Sequence, residues 1–162
     1  MINFALNDIV LYGSNGVCKV DAIEERDMGT YYILRPVHKS HTKLMVPANN
    51  ERLLNRIRAI PSEADAKQSI KAALSAEPCW ISDANARKER AKEILESGTE
   101  YELLMLARSF YLHKQKVLEA GKKATSSDNG ILRSAQERVR DEFSVVLGIE
   151  PEEVDEYIFA EA

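Results

Sequence analysis

The sequence has few of the residues on which most enzymes and secreted domains depend. Its 162 residues include only three histidines and two cysteines. His38 and His41 lack the spacing of zinc ligands, and no combination of histidine and cysteine has it either. The glycine-bearing stretch 13–16 lacks the Lys-Ser/Thr pair that a phosphate-binding loop needs, so a hairpin turn explains it better. We therefore expect no catalytic residues, no metal, no cofactor and no small-molecule substrate.

Paired cysteines and long apolar runs are also lacking. Cys18 and Cys79 stand far apart and neither belongs to a Cys-x-x-Cys motif, which favours two reduced structural thiols. The first eight residues have neither the basic region nor the apolar core of a signal peptide, and no later run approaches a membrane span. The sequence thus predicts a cytoplasmic protein without membrane contact.

An excess of positive charge is absent from the chain as a whole. The net charge is −4 and the pI is near 5.5, which argues against a protein that coats nucleic acid. The charge is uneven along the chain: +2 over residues 1–60, −1 over 61–79, +2 over 80–123 and −7 over 124–162. Any contact with DNA must therefore come from a local patch, with the acidic C-terminal end turned away from phosphate.

What the sequence does contain, first, is a series of short β-prone runs. They are Asp8–Tyr12, Val17–Ile23, Tyr31–Leu34 and Lys43–Val46, with Arg52–Arg58 as a candidate fifth strand that carries basic residues on one face. Turn signals separate the runs: an Asn-Gly hairpin turn, Asp27-Met28-Gly29, and a turn around Lys39-Ser40-His41. Five short antiparallel strands in about sixty residues predict a small, strongly bent barrel that serves as a binding module.

From Ser62 onward the pattern changes to helical periodicity. Capping residues, glycines and a proline predict helices over Ser62–Ser75, Ser82–Leu95, Thr99–Gly121, Ser126–Leu147 and Pro151–Phe159. Apolar residues fall at spacings of three and four within them. These signals predict a compact all-α domain, with the first helix bridging to the barrel.

An ordered set of short motifs extends from Phe4 to Gly98. It comprises Phe4, Asp8–Tyr12, Gly16–Val20, Ile23-Glu24, Tyr32–Leu34, Met45–Pro47, the lone Trp80 and Leu95–Gly98. This order resembles the CarD/CdnL family of bacterial transcription regulators. The resemblance implies a Tudor-like domain that binds the RNA polymerase β subunit and a helical domain that contacts promoter DNA at the upstream edge of the melted region.

The expected fold is α+β with two domains. A Tudor-like antiparallel β-barrel that interacts with RNA polymerase occupies residues 1–60. A connecting helix and linker follow over residues 61–79, and a helical domain that contacts DNA occupies residues 80–162.

The resemblance also indicates how the barrel meets polymerase, because the family uses one exposed face with a basic residue after the second strand and another on the fourth. Arg26 matches the first position. Met45 occupies the second, with Lys43 two residues earlier on the same strand face, so the charge has moved or an apolar contact has replaced it. Arg26 can instead be a turn residue that balances its acidic neighbours. An exposed barrel edge offers strand pairing as another mode, with His41–Leu44 as the candidate edge.

Trp80 admits two interpretations. An indole between two helices is usually a core plug. Here a helix begins directly after it and brings Arg87, Lys88 and Arg90, an arrangement in which an aromatic ring meets unstacked bases while cations hold phosphates. The resemblance favours this wedge, because the family's tryptophan pushes against the upstream fork of the transcription bubble.

The chain departs from the family pattern just after Trp80. Arginines commonly follow the tryptophan at once, whereas Ile81–Ala84 intervene here and include an acid. Either the DNA contact is rebuilt one helical turn later, at Arg87, Lys88 and Arg90, or DNA binding is weak. A further alternative is that these cations form a solvated face that pairs with neighbouring glutamates.

The sequence as a whole predicts a non-enzymatic transcription regulator that is nucleoid-associated through RNA polymerase. It would bind the polymerase β subunit and promoter DNA, and stabilise the open promoter complex. A first alternative is an adaptor that joins other proteins and binds no DNA, which the acidic net charge favours. A second is an RNA- or ribosome-associated Tudor-like module, which the lack of a strongly basic or aromatic-rich barrel face disfavours.

Overall fold

The computed structural model describes residues 4–37 and 41–159. Contacts between Cα atoms divide the chain into two compact units, Met1–Pro61 and Ser62–Ala162. The strands all lie in the first unit, and the long helices all lie in the second. An antiparallel sheet followed by helices agrees with the α+β class expected from the sequence.

The N-terminal unit is a five-stranded antiparallel sheet with strand order β4-β3-β2-β1-β5. In chain order the strands are β1 (Ile9–Tyr12), β2 (Val17–Arg26), β3 (Gly29–Pro36), β4 (Leu44–Pro47) and β5 (Ile57–Ala59). Strands β4 and β5 form the two edges, and no ladder joins them within the described part of the chain. The sheet is therefore open, where the sequence led us to expect a barrel. The short β5 contributes only three residues, all paired with β1.

The turns of the sheet follow from glycine. The first hairpin closes through a short 3-10 turn, Gly13–Asn15, with the N–H of Tyr12 donating to the carbonyl of Gly16 at 3.0 Å. Gly13 and Gly16 have φ values of 47° and 78°, in the left-handed region that glycine adopts at little cost. The second predicted turn lies between β2 and β3 as expected. Of the third, Lys39 and Ser40 lie outside the described residues.

The prediction of a strand over Arg52–Arg58 is wrong. Glu51–Leu54 forms a short helix, α1, because the side chain of Asn50 caps it by accepting from the Leu53 N–H at 3.1 Å. The strand begins only at Ile57. The arginines of this segment are therefore divided between a helix, a turn and a strand, and form no basic strand face.

One face of the sheet packs into an apolar core. Its most buried members are Val10, Tyr12, Cys18, Val20, Tyr32, Leu34, Val46, Leu54 and Ile57. Both cysteines carry free thiols, as the sequence predicts. Cys18 is fully buried in this core, whereas Cys79 is exposed, so only Cys18 has the structural place expected for both.

The second unit is a helical bundle whose boundaries follow the capping signals closely. Its helices are α2 (Glu63–Ser75), α3 (Ala84–Ser97), α4 (Glu100–Glu119), α5 (Ser126–Leu147) and α6 (Pro151–Phe159). Side chains of Ser62, Asp83, Thr99 and Thr125 each accept a backbone N–H at the start of a helix. Thr99 and Glu102 form the capping box that the sequence predicts.

Helix α4 lies at the centre of this bundle and packs against α2, α3 and α5. The core contains apolar residues from all five helices: Ala66, Ile70, Ala73, Ala91, Ile94, Leu103, Leu104, Leu106, Ala107, Phe110, Leu132, Ala135, Val139, Phe143 and Val154. The segment between α2 and α3 carries Trp80 across this core, which positions the candidate site of the second unit.

Candidate functional site

The ladder between β3 and β4 determines which side chains the outer face of the sheet presents. Tyr32 is opposite Val46, and both belong to the core. Ile33 is opposite Met45, so these two side chains project from the other face, because successive strand residues alternate. Met45 remains 45% exposed there. Lys43 is exposed and comes immediately before β4.

Arg26 lies on the same outer face as Met45. Across the β2–β3 ladder Ala22 is opposite Ile33, so the alternate positions Glu24 and Arg26 follow it on that face. The Arg26 guanidinium forms an ion pair with Glu24 at 2.6 Å, and the two side chains keep 53% and 43% of their surface exposed. A partner's carboxylate can therefore reach Arg26, but it has to compete with Glu24.

The tip of the β2–β3 hairpin adds a residue that the sequence analysis did not identify. Met28 is 82% exposed between Arg26 and the start of β3. The signal was an apolar side chain inside a turn, a place where polar residues are the rule. Arg26 is opposite Gly29 at this tip, whereas Met45 is opposite Ile33, four residues further along β3. Arg26, Met28, Lys43 and Met45, which are spread along the sheet from the hairpin tip to the start of β4, are here called the hairpin surface. Beside it, β4 is an edge strand with backbone groups available for pairing.

In the helical unit, Trp80 is half-buried and rests on the inner side of α4. Its ring meets that of Phe110 edge-to-face, with centroids 4.9 Å apart, and stacks on the imidazole of His113 at 3.7 Å with the planes 6° apart. His113 thus covers one face of the indole, and the guanidinium of Arg87 also lies over the ring. Trp80 combines features of plug and wedge, since it packs against the core yet keeps part of its surface in solvent.

The structure places Arg87 inside the protein rather than on a DNA-facing surface. Its Nε and Nη2 atoms donate to the two carboxylate oxygens of Asp128 at 3.0 and 3.1 Å, and Nη1 donates to the carbonyls of Ile81 and Ser82. Only 11% of the side chain is exposed. The guanidinium carbon lies 4.6 Å from the Trp80 ring centroid. With its donors satisfied in this way, Arg87 is unsuited to the phosphate contact predicted for it.

The other two predicted DNA-binding cations remain at the surface, in different states. Lys88 is exposed and forms no ion pair with the described residues. Arg90 is 48% exposed and pairs with Glu93 and with Glu102, the acid of the α4 capping box. Hydrogen bonding to Glu93 raises the pKa of Arg90 above its ordinary value. The alternative of a solvated, glutamate-paired face therefore describes Arg90 well and Lys88 poorly.

Between Trp80 and α4 lies a cleft of about 410 Å³. Its apolar wall is formed by Trp80, Tyr101, Met105 and Phe110 with the exposed Cys79 beside them, and the charged residues Glu77, Arg90 and Glu102 stand at its rim. The cleft makes part of the indole surface accessible from solvent.

Sequence analysis missed the two partners that matter most for Trp80. His113 follows Phe110 by three residues and Leu106 by seven, so helical periodicity places it on the apolar stripe of α4. Asp128 lies in the first turn of α5, where an acid is expected for the helix dipole. Nothing in the sequence pairs Asp128 with an arginine 41 positions earlier.

The end of α4 carries further cations that the sequence analysis did not select. Lys114, Lys116, Lys122 and Lys123 follow His113 within ten residues, the last three are exposed, and none forms an ion pair with the described residues. The Lys122 N–H donates to the carbonyl of Val117 at 2.8 Å, and Gly121 has a φ of 75°. This helix ending turns the chain back, so Lys122 comes close to the last turn of α4.

No group of histidine, cysteine, aspartate and glutamate side chains in the part of the chain that the structure describes is arranged to hold a metal ion. None of the described helices is both long and apolar enough to cross a membrane.

Comparison with known proteins identifies the first unit. Residues 4–59 match a family model described as the CarD-like/TRCF RID domain. No curated protein matches the chain. The matched range contains all five strands and the whole hairpin surface, and this domain indicates a transcription-related protein that interacts with RNA polymerase. Residues 4–59 of this chain are therefore a CarD-like RID domain.

Proposed function

We propose that the protein is a non-enzymatic transcription regulator that binds the β subunit of RNA polymerase and stabilises the open promoter complex. The first unit docks on polymerase through the hairpin surface. The helical unit contacts promoter DNA at the upstream edge of the bubble. The observation that carries this proposal is a half-buried Trp80 that shares a cleft with the exposed Arg90, in a chain that also contains a RID domain.

Polymerase binding uses the exposed part of the sheet. Arg26 supplies a positive charge that a carboxylate of the β subunit can share with Glu24. Met28 supplies apolar surface at the same hairpin tip, and Met45 supplies more of it further along the sheet. The open edge of β4 allows a strand of the partner to pair with the sheet. The docking is therefore a protein–protein contact with a mixed polar and apolar character.

DNA binding uses a revised set of residues. Arg87 serves an internal role, so phosphate contact falls to Lys88 and Arg90 of α3 and to the lysines at the end of α4. Lys116 follows His113, which stacks on Trp80, by three residues and so lies on the same side of α4. Trp80 then meets an unpaired base with the part of its surface that protein leaves uncovered.

The mechanism is a linkage effect and involves no covalent step. A contact made only to melted DNA favours the open state by the difference in binding free energy between the two states. A difference of about 1–2 kcal/mol shifts that equilibrium roughly 5–30-fold. The protein acts in the cytoplasm, on the nucleoid, wherever polymerase brings it to a promoter.

The test combines two variants of the full chain. Arg26→Glu should weaken co-purification with polymerase, and Trp80→Ala should leave that binding intact but shorten the lifetime of the open complex. Arg58→Glu, a charge reversal on β5 at the other sheet edge, is the matched control for Arg26. Equal polymerase binding by all three proteins would contradict docking through the hairpin surface.

A second candidate function is an adaptor that binds proteins only. The coverage of one indole face by His113, and the cleft lined with apolar side chains, favour it. Such an adaptor would still bind polymerase through its RID domain, but it would show no salt-dependent affinity for promoter DNA.

A further inference from the structure

The surroundings of Trp80 form a connected assembly that spans three helices. Arg87 comes from α3, His113 from α4 and Asp128 from α5. Each contacts the indole or a residue that contacts it. The indole itself is half-buried, and the Arg87–Asp128 ion pair that supports it is nearly buried.

Arg87 fixes the backbone that leaves Trp80. Its Nη1 donates to the carbonyl of Ile81 at 2.9 Å and to that of Ser82 at 3.2 Å. The same guanidinium lies 4.6 Å from the indole centroid, where a cation is attracted by the ring face. One side chain therefore constrains both the ring and the two residues that follow it.

Asp128 fixes Arg87 in turn. The bidentate ion pair is nearly buried, with 11% and 8% of the side chains exposed, and the fork geometry allows only one orientation of the guanidinium. The Asp128 N–H donates to the Thr125 hydroxyl at the start of α5, so the carboxylate is itself anchored.

His113 completes the assembly from the side of α4. Its imidazole lies parallel to the indole within 6° at 3.7 Å, which restricts rotation of the ring about its side-chain bonds. Phe110 one turn earlier meets the same ring edge-to-face.

We propose that Arg87, Asp128 and His113 are positioning residues that hold Trp80 in one orientation before it meets its partner. A ring ordered in advance loses less conformational freedom on binding, so more of the contact free energy appears as affinity. This role replaces the phosphate contact for Arg87, and it requires the acid at position 128 as much as the arginine. Its consequence for open complexes rests on the proposed function, whereas the orientation of the indole can be measured without it.

The single tryptophan makes this measurement direct, because all indole fluorescence comes from Trp80. In the full chain, Arg87→Gln, Asp128→Asn and His113→Ala should each shift the emission maximum and raise the acrylamide quenching constant at temperatures well below unfolding. Arg87→Lys keeps the charge but loses the fork, and should give an intermediate result even if the Asp128 variant fails to fold.

Arg140→Gln is the matched control. It breaks another bidentate arginine–aspartate pair in the same unit, to Asp155 of α6, with no contact to Trp80. The control should lower thermal stability and leave emission and quenching unchanged. If Arg87→Lys and His113→Ala give wild-type emission and quenching, or if Arg140→Gln changes both as strongly, the positioning role is refuted.

Open-complex decay separates this proposal from the proposed function. If both proposals hold, His113→Ala and Arg87→Lys shorten the lifetime of the open complex by a smaller factor than Trp80→Ala does, and polymerase binding is unchanged. If Trp80→Ala itself leaves the lifetime at the wild-type value, the DNA contact is refuted, while the fluorescence result still decides whether the three residues position the indole.

Discussion

Arg26 of the sheet unit and Arg87 of the helical unit pair with acids in opposite surroundings. In the sheet unit, Arg26 pairs with Glu24 at the surface, and the two side chains are 53% and 43% exposed. In the helical unit, Arg87 pairs with Asp128 away from solvent, and only 11% and 8% of those side chains are exposed. The residues that flank an arginine in the sequence therefore do not determine its role. Its role is decided by whether a distant acid reaches it.

The difference has a physical cause in the two kinds of element. A hairpin residue at the end of a strand meets few elements other than its ladder partner, so Arg26 stays at the surface. A residue on one face of a helix in a bundle meets its neighbours, and α5 brings Asp128 against α3. Exposed pairs of this kind contribute little to folding, whereas breaking a buried pair leaves an uncompensated charge.

The largest expected effect is on the buried pair. Asp128→Asn leaves the Arg87 guanidinium in place without its counter-charge, and we expect the free energy of unfolding to fall by about 3–5 kcal/mol. Urea unfolding followed by circular dichroism measures the change. A loss no greater than that of Glu24→Gln would show that the two pairs do not differ as described.

Trp80→Ala should have an intermediate effect on folding. The ring packs on Phe110 and His113 but keeps part of its surface in solvent. We expect a loss of about 1–2 kcal/mol, more than a surface change and less than truncation of a fully buried aromatic residue. A loss above this range would indicate a core plug, and the melting temperature of the variant reports it.

Arg26→Glu should alter binding far more than stability. Both members of its pair are solvent-exposed, so we expect the free energy of unfolding to change by within about 0.5 kcal/mol. Affinity for RNA polymerase should fall, because the reversed charge repels an acidic partner. A variant that unfolds, or one that binds polymerase normally, would contradict the exposed-contact interpretation of this arginine.

Lys88 and Arg90 offer a smaller contrast within one helix. Replacing Lys88 with Ala should lower the slope of log affinity for promoter DNA against log salt by about one unit, since each phosphate contact contributes roughly that much. Replacing Arg90 should lower it less, because Glu93 and Glu102 already share its charge. If the slope is unchanged in both variants, these cations belong to a solvated face of α3 and do not contact phosphate.

The smallest expected effect concerns pH. The Thr99 backbone N–H donates to Glu102, which lowers the pKa of that carboxyl, and Arg90 acts in the same direction. A carboxyl with a pKa lowered by folding stabilises the protein above its unfolded pKa and loses that contribution as pH falls through the folded value. Glu102→Gln should therefore reduce the melting temperature near neutral pH and make less difference in acid. An equal reduction at all pH values would assign the effect to packing.

Much of the fold could be predicted because its signals are local. Thr99 and Glu102 mark the start of α4, and Gly148 follows the last residue of α5 as expected. The error at Arg52–Arg58 is local too, since the cap at Asn50 outweighed the strand pattern. The surroundings of Trp80 could not be predicted, because His113 and Asp128 reach it from sequence positions that no local pattern connects.

Open-complex decay tests whether Trp80 stabilises melted DNA in a chain tethered to polymerase. The measurement compares the wild-type chain with Trp80→Ala at saturating polymerase occupancy, so that docking is equal. We expect decay to accelerate about 5-fold or more, the factor that corresponds to 1 kcal/mol of lost contact. Identical decay rates for the two proteins, with equal occupancy, would contradict the account.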